Sequence, residues 1–311
     1  MTGASARAIG DQSAGPASRT GAVVVNYNAG AALAACVASL RAAGVAEIVV
    51  VDNGSSDGSL AALAADNGKA RIVRAGRNLG YGTAANRGAA TLAEPFVLIA
   101  NPDVVIDPGA VDVLAGTLEA EPDVAVVGPS IHDPGGALYP SARSFPSFTV
   151  GAGHALVGLF WPDNRWTRRY RDSATLERPV AGRAREADWV SGACCVVRRE
   201  AFETVGGFDE GYFMYVEDLD LCWRLRRAGW RVLYAPAAVV VHHQGLSAAT
   251  RPFRMLAAHH RSTLRFARKS LVGVRAVLLV PVAGGLAVRL GLAWARQLLV
   301  GHRGSRPPGL D

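Results

Sequence analysis

From residue 22 onward, short apolar runs alternate with longer stretches whose apolar positions recur at helical spacing. The runs predict strands at 22–25, 47–51, 71–74, 96–100 and 124–127. The stretches between them predict helices near 31–42, from a Ser56 or Asp57 cap to about 65, near 83–92 and near 108–120. Strict alternation of this kind implies an α/β domain with a mostly parallel, Rossmann-like sheet and helices on both faces. Residues 129–187 lose the pattern and are rich in Pro, Gly, Arg and aromatic side chains, as an insertion or lid would be. The pattern returns with a strand near 188–197, a turn at Gly206-Gly207-Phe208-Asp209, a helix from about 217 and a strand pair at 231–234 and 238–241.

In sheets of this type ligands bind beyond the carboxyl ends of the strands. Polar residues gather at those ends here, in Asn26-Tyr27-Asn28 and in segments 52–57, 78–86 and 101–103. Asp52 follows an apolar run, and Asn53-Gly54 favours a tight turn. A carboxylate there can accept hydrogen bonds from a base or a ribose, or the segment can simply turn and cap a helix. Asn101-Pro102-Asp103 ends a strongly apolar strand, which would leave Asp103 free at the sheet edge. An acid so placed can hold a divalent cation against the phosphates of a nucleotide diphosphate, or merely turn the chain.

Glu217, Asp218 and Asp220 crowd a helix start, where acids complement the helix dipole. The flanking Tyr212, Phe213 and Tyr215 add a partly apolar setting, in which desolvation lifts a carboxylate toward the range of a general base. His242-His243 ends another strand and offers a late metal ligand or a hydrogen-bonding pair. The Gly-rich segment 76–88 matches neither the dinucleotide fingerprint nor the ATP-binding P-loop, so both classes lose support.

Composition changes this picture in three respects. A length of 311 residues suits one large domain with appendages. The net charge of +7 is unevenly placed, because residues 251–311 carry eleven basic residues and one acid, leaving residues 1–250 mildly acidic. That split argues against nucleic-acid binding by the folded domain and favours a basic tail meeting anionic headgroups. Within the tail, 276–288 is uncharged but holds Pro281 and Gly284-Gly285, with Arg275, Arg289 and Arg296 around it. It is short for a span, suiting an interfacial or re-entrant helix, or a packed amphipathic one. Cys36, Cys194, Cys195 and Cys222 lack zinc-site spacing and read as small buried thiols of a reducing compartment. Residues 1–20, rich in Ala, Ser and Gly, read as a disordered leader without the apolar stretch of an export signal.

Taken in order, Val25-Asn26-Tyr27-Asn28, Asp52-Asn53-Gly54-Ser55-Ser56-Asp57-Gly58, Asn78-Leu79-Gly80-Tyr81-Gly82 with Asn86, Asn101-Pro102-Asp103, Gly206-Gly207-Phe208-Asp209-Glu210, Glu217-Asp218-Leu219-Asp220 and His242-His243 resemble the family 2 glycosyltransferases. The resemblance implies a GT-A fold over 21–250, with a nucleotide-binding half at 21–128, an acceptor-side insertion or lid at 129–187 and an acceptor and catalytic half at 188–250. A helical, membrane-associating tail at 251–311 would follow. Nucleotide-sugar contacts would come from Asn26, Tyr27, Asn28, Asp52, Asn53, Ser55, Asp57, Asn78, Gly80, Tyr81, Asn86 and Asn101. Asp103 matches the family's metal aspartate, with Asn101 replacing the usual first acid and His243 a further ligand for Mg²⁺ or Mn²⁺. Asp218 matches the catalytic base, with Glu217 the alternative. The Gln-x-x-Arg-Trp signature of processive synthases is absent, which implies a single sugar addition.

Within the family, Tyr139-Pro140-Ser141-Ala142-Arg143, Phe160-Trp161-Pro162, Trp189-Val190-Ser191-Gly192, Tyr212-Phe213-Met214-Tyr215 and Ala257-Ala258-His259-His260 resemble bacterial rhamnosyltransferases of cell-wall linker synthesis. That narrower likeness implies dTDP-L-rhamnose as donor and N-acetylglucosaminyl-diphospho-polyprenol as acceptor, in a single inverting displacement. Trp189, Ser191, Gly192 and Tyr215 would bind the acceptor. The chain would work in the cytoplasm, peripherally on the inner face of the cell membrane, and a homo-oligomer is left open. The competing readings are a family member using a UDP-sugar on another glycan, and a non-catalytic sugar-nucleotide-binding module.

Overall fold

The computed structural model describes residues 15–65, 70–145, 182–243 and 252–301. At its centre lies β1 (Thr20–Asn26), whose Ala-Val-Val-Val run is buried along its whole length. Residues of this kind suit a strand covered on both faces. β1 pairs in parallel with β2 (Glu47–Asp52), which pairs with β3 (Arg71–Arg74), and on its other side with β4 (Phe96–Ala100). The crossovers are α1 (Ala32–Ala42), α2 (Ser59–Ala65) and α3 (Tyr81–Ala89). α1 buries Leu33, Cys36, Val37 and Leu40, a three-and-four spacing that keeps one stripe on the sheet. α3 lies so close to β1 and β2 that a Cβ on Gly88 would fall 2.5 Å from a methyl of Val23.

The second half begins with β5 (Val104–Ile106), α4 (Ala110–Ala120), β6 (Val124–His132) and the short β7 (Leu138–Tyr139) and β8 (Ala142–Arg143). It continues with β9 (Arg185–Glu186), β10 (Trp189–Val190), β11 (Cys194–Arg198), α5 (Arg199–Thr204), α6 (Glu217–Arg227) and β12 (Arg231–His242). The main sheet runs β3-β2-β1-β4-β11-β6-β12-β5. The β1–β4 half is wholly parallel, whereas β11 enters antiparallel between β4 and β6, and β5 closes the far edge antiparallel to β12. The parallel character predicted from the alternating pattern therefore holds in the first half and becomes mixed in the second.

Three local expectations are corrected. The strand predicted at 188–197 is two strands, because the chain breaks at Ser191-Gly192-Ala193 and β10 leaves the main sheet to pair with β8. The strand pair predicted at 231–241 is one strand with a register shift between Ala235 and Val239, where Pro236 has no N–H for the ladder. Residues 15–20, expected within a disordered leader, are ordered. Pro16–Arg19 forms a 3-10 turn with Ala17 buried, its N–H donating to Asp112 Oδ1 at 3.0 Å, and Arg19 pairs with Glu119. Residues 1–14 of the leader and 146–181 of the insertion lie outside the described residues.

The basic tail divides. α7 (Pro252–Ser270) packs on the domain, burying Phe266 and Ala267 and joining Tyr212 and Leu219 in a third apolar cluster. Beyond it, a 3-10 turn (Gly273–Leu278) continues into α8 (Leu279–Gly301). Pro281 does not interrupt that helix, since it sits in the first turn, where its missing N–H costs nothing. The stretch Gly273–Leu292 is thus long and apolar enough to cross a membrane by length and composition, and no part of it is buried. This exceeds the thirteen uncharged residues on which the sequence reading judged it short. All four cysteines are buried and free, and burial pushes the Cys194 and Cys222 thiols up to about 12.

Candidate active site

The carboxyl ends of β1, β2, β4 and β12 emerge at one edge of the sheet, as the strand directions require. Asn26 at the end of β1 is fully buried, and its Nδ2 reaches Asp52 Oδ1 at 3.3 Å, Ser55 Oγ at 3.1 Å and Ser59 Oγ at 3.0 Å. Asp52 Oδ1 also accepts the Ser55 N–H at 3.3 Å, while its Oδ2 has no partner among the described residues. Asn28 adopts a left-handed φ of 53°, so that its N–H reaches Ser55 Oγ at 3.1 Å and its Oδ1 accepts from Ser56 N. Tyr27 between them is half-buried.

Several residues expected to contact the nucleotide also hold the cleft together. Asn53 donates to Asn78 Oδ1 at 3.1 Å and to Gly80 O, and accepts from Leu79 N at 2.8 Å, which pins the Gly-rich loop onto β2. Asn78 Oδ1 also accepts from Gly80 N. Asn86 accepts from Phe208 N and donates to Phe208 O, both at 2.9 Å, so it fixes the turn at Gly206-Gly207-Phe208. Asp57 accepts from Gly30 N at 2.8 Å and from both the N–H and the hydroxyl of Ser59. Partial burial opposes its ionisation, yet these donors outweigh it and hold Asp57 below the usual carboxylate range. Short polar side chains at turns bond their own backbone readily, which is why the pattern alone could not separate the two roles.

Gly80 (φ 89°) sits where the loop meets the opposite wall, and a Cβ there would lie 2.4 Å from Phe213 O. Next to it, Tyr81 donates its hydroxyl to Gly192 O at 2.6 Å and packs edge-on against Phe208. The break between β10 and β11, bearing Ser191 and Gly192, is thereby tied to the parallel half.

Gly192 N in turn donates to Asp218 Oδ2 at 2.9 Å, and Asp218 Oδ1 accepts from Leu219 N at 2.8 Å. Asp218 belongs to the first turn of α6, entered through Tyr215 and Val216 in left-handed conformations with φ of 67° and 71°. Both are non-glycine residues, and strain of this kind collects where surrounding structure fixes a functional group. Burial raises both acids at this turn. Glu217 is pushed up to about 8 by burial first and by the neighbouring Asp218 second, and its buried Oε2 has no partner. Asp218 has two N–H donors and feels the positive charge of Arg143. The two N–H donors and Arg143 oppose the rise at Asp218, whereas nothing comparable opposes it at Glu217.

Asp220, also proposed from the acidic cluster, is fully buried and serves the scaffold. It accepts from Arg224, Tyr212 and Lys269, the last from α7 at 2.5 Å. Trp189 donates to Ser144 O, and Tyr215 packs edge-on against His259 of α7.

The structure redistributes the histidine roles. Asp103 Oδ1 lies 3.1 Å from Nε2 of His242, not from His243 as expected, and Asn101 Nδ2 lies 3.3 Å from the same nitrogen. Pairing of β12 with β5 sets His242 opposite Val104 and turns the exposed His243 outward, its N–H donating to Asp103 O at 2.9 Å. Both histidines line a cleft of about 540 Å³ with Tyr139 and Asp133. Among the described residues no three His, Cys, Asp or Glu side chains converge. The sequence reading also gave Arg143 no role, although it quoted the motif holding it. The Arg143 guanidinium lies over the rings of Tyr139 and Trp189, at 5.7 and 5.3 Å from their centres.

A parallel first half, an opposing strained turn bearing two buried acids, and an aspartate–histidine pair at the sheet edge define a transferase of the GT-A class. The chain belongs to glycosyltransferase family 2, whose model, described as "Glycosyltransferase like family 2", matches residues 16–268. It is 43% identical over 283 residues to the N-acetylglucosaminyl-diphospho-decaprenol L-rhamnosyltransferase of Mycobacterium tuberculosis, covering 86% of this chain and 90% of that one. It is 45% identical over 92 residues to the rhamnosyltransferase WbbL of Escherichia coli K12, covering 28% of this chain and 34% of the other. Among solved structures, GalNAc-T7 with UDP, GalNAc and Mn²⁺ matches with a TM-score of 0.58 at 17% identity, over 83% of this chain and 48% of that one. The mannosyltransferase PcManGT of Pyrobaculum calidifontis, with GDP-Man and Mn²⁺, matches at 0.52 and 19% identity, over 92% and 79%. At such identities the structural likeness speaks for the fold.

Proposed function

We propose that this glycosyltransferase moves L-rhamnose from dTDP-L-rhamnose to N-acetylglucosaminyl-diphospho-polyprenol, with inversion at the anomeric carbon. The observation that carries the chemistry is Asp218, whose carboxylate is oriented by two N–H donors beside the buried Glu217. The substrate pair is supported by the 43% identity, along most of both chains, to an enzyme named for that acceptor and sugar.

In this mechanism Asp218 takes the proton of the acceptor hydroxyl as its oxygen attacks the anomeric carbon. The bond from that carbon to the diphosphate oxygen breaks, and thymidine diphosphate leaves on the opposite face. Gly192 N and Leu219 N hold the Asp218 carboxylate in one orientation, so its reorganisation costs little in the transition state. Trp189, Ser191, Gly192 and Tyr215 surround the acceptor side, while Asp52 Oδ2, Asn28 and Tyr27 face the nucleoside.

The side chains at the sheet edge fit a divalent cation. A carboxylate and an imidazole meet at 3.1 Å, and Mg²⁺ or Mn²⁺ commonly needs no more than this from the protein when substrate phosphates supply the rest. Asp103 and His242 would hold it, with His243 lining the same cleft. When bound, the cation supplies positive charge to the departing diphosphate.

The tail supports work at a membrane surface. α8 and its preceding turn expose Val274, Val277, Val280 and Trp294, flanked by Arg275 and Arg289. Such a surface suits contact with anionic lipid, where a polyprenyl-linked acceptor resides.

Titration calorimetry of the purified chain with dTDP-L-rhamnose, UDP-glucose and UDP-N-acetylglucosamine, each with Mg²⁺, tests the donor assignment. Binding of dTDP-L-rhamnose at least tenfold tighter than either UDP-sugar is expected. Preference for a UDP-sugar would reject rhamnose as the transferred group.

A further inference from the structure

The geometry points to a diphosphate-recognising subsite built on Arg143, which stacks on Tyr139 beside His242 and on Trp189 beside the loop that holds the catalytic carboxylate. The inference rests on the transferase reading and names a residue that reading leaves without a role.

Arg143 closes β8, directly opposite Trp189 of β10. Its Nε donates to Pro140 O at 2.9 Å, which fixes the plane of the guanidinium. The rings of Tyr139 and Trp189 flank it, and Trp189 is itself anchored by its Nε1 hydrogen bond to Ser144 O. Cation–π contacts of this sort hold an arginine in one place without neutralising it. Among the described residues its Nη1 and Nη2 groups donate no hydrogen bond and no acid lies within ion-pairing distance, although Asp218 is near enough to feel its charge.

Three other arginines behave differently. Arg224, Arg231 and Arg265 each lie against one or more carboxylates. A half-buried guanidinium with no counter-ion is costly unless an anion completes it.

The neighbours say where that anion lies. Tyr139 packs edge-on against His242 at 6.5 Å, and His242 contacts Asp103. On the other side, β10 leads within two residues to Gly192, which holds Asp218. Arg143 thus stands among residues of both the sheet edge and the acceptor loop, and a planar fork pairs with phosphate oxygens two at a time. Both substrates carry a diphosphate, so the shared chemistry is the same and kinetics assigns its source.

The test compares wild type, Arg143→Ala and Arg143→Lys, each checked by thermal melting. Inorganic diphosphate is titrated by calorimetry in EDTA, which requires no turnover, and KM is measured for dTDP-L-rhamnose and for a short-chain polyprenyl-diphospho-N-acetylglucosamine. Wild type is expected to bind diphosphate, Arg143→Ala at least tenfold more weakly, and Arg143→Lys between the two. A raised acceptor KM with donor KM unchanged assigns the subsite to the acceptor's diphosphate, and the converse assigns it to the donor's. Absence of turnover in wild type, with diphosphate binding still lost in Arg143→Ala, rejects the rhamnosyl assignment and leaves the subsite standing. No diphosphate binding by wild type overturns the inference, as does a folded Arg143→Ala that binds it like wild type with both KM values unmoved.

Discussion

The N–H of Gly192 meets Oδ2 of Asp218 at 2.9 Å, while the carbonyl of the same residue accepts the Tyr81 hydroxyl at 2.6 Å. One residue therefore joins the parallel half, the break between β10 and β11, and the first turn of α6. Displacement of any of the three would move the carboxylate proposed to take the acceptor's proton.

Asp218→Asn keeps the shape and removes the base. General-base removal typically costs about 10²–10⁴ in rate, so kcat should fall by that order while donor affinity by calorimetry stays near wild type. Activity within a few-fold of wild type would remove Asp218 from the chemistry.

Tyr81→Phe deletes the hydroxyl that fixes Gly192 O. The loss of one buried hydrogen bond should lower stability by about 1–2 kcal/mol in a denaturant melt. Because Gly192 also positions Asp218, kcat should fall further than donor affinity. An effect confined to stability would show that the Tyr81–Gly192 link is scaffold alone.

Glu217 gives a pH signature. Its folded pKa of about 8 lies above the ordinary value of 4.5, so the folded state binds the extra proton over that window. Its contribution to stability is fully present below pH 4.5 and is lost as pH rises through 8. Glu217→Gln should match wild type near pH 4 and become progressively more stable than wild type up to pH 9. The gain is bounded at roughly 5 kcal/mol and reduced by coupling to Asp218. Equal stability of the two proteins at pH 9 would contradict a buried, protonated Glu217.

The two parts of the tail should separate on truncation. Ending the chain after residue 272 removes exposed apolar surface and should leave the melting temperature close to that of the full chain. Vesicle cosedimentation with anionic lipid should fall sharply. Ending it after residue 251 also removes Phe266, Arg265 and Lys269, leaving Asp209 and the fully buried Asp220 short of partners. That truncation should destabilise the domain by roughly 3 kcal/mol or more. Equal stability of both truncations would show that α7 is an appendage like α8.

The parallel half was legible because its strands are continuous apolar runs and its helices have clear stripes. Val23, Val24, Val49 and Val50 are all fully buried, as such a pattern demands. The second half was less so. Ala142-Arg143 and Trp189-Val190 are two-residue strands with no periodicity to detect, and their pairing joins residues more than forty apart. The histidine pair was visible as a pair. Which member faces Asp103 depends on the register of β12 against β5, set partly by the irregularity at Pro236. Asn53, Asn78 and Asn86 carried the family likeness, yet the sequence could not show that their amides also hold the loops around them. Arg143 belongs to the Tyr139–Arg143 motif, and its place beside Trp189 appears only once β8 and β10 are paired.

The account is tested most directly by mass analysis of the lipid product after incubating the intact chain with dTDP-L-rhamnose, short-chain polyprenyl-diphospho-N-acetylglucosamine and Mg²⁺. The predicted result is an acceptor carrying one added deoxyhexose and no longer chains, formed by wild type and almost absent with Asp218→Asn. An unchanged acceptor under conditions where dTDP-L-rhamnose binds, or equal product from Asp218→Asn, would contradict it.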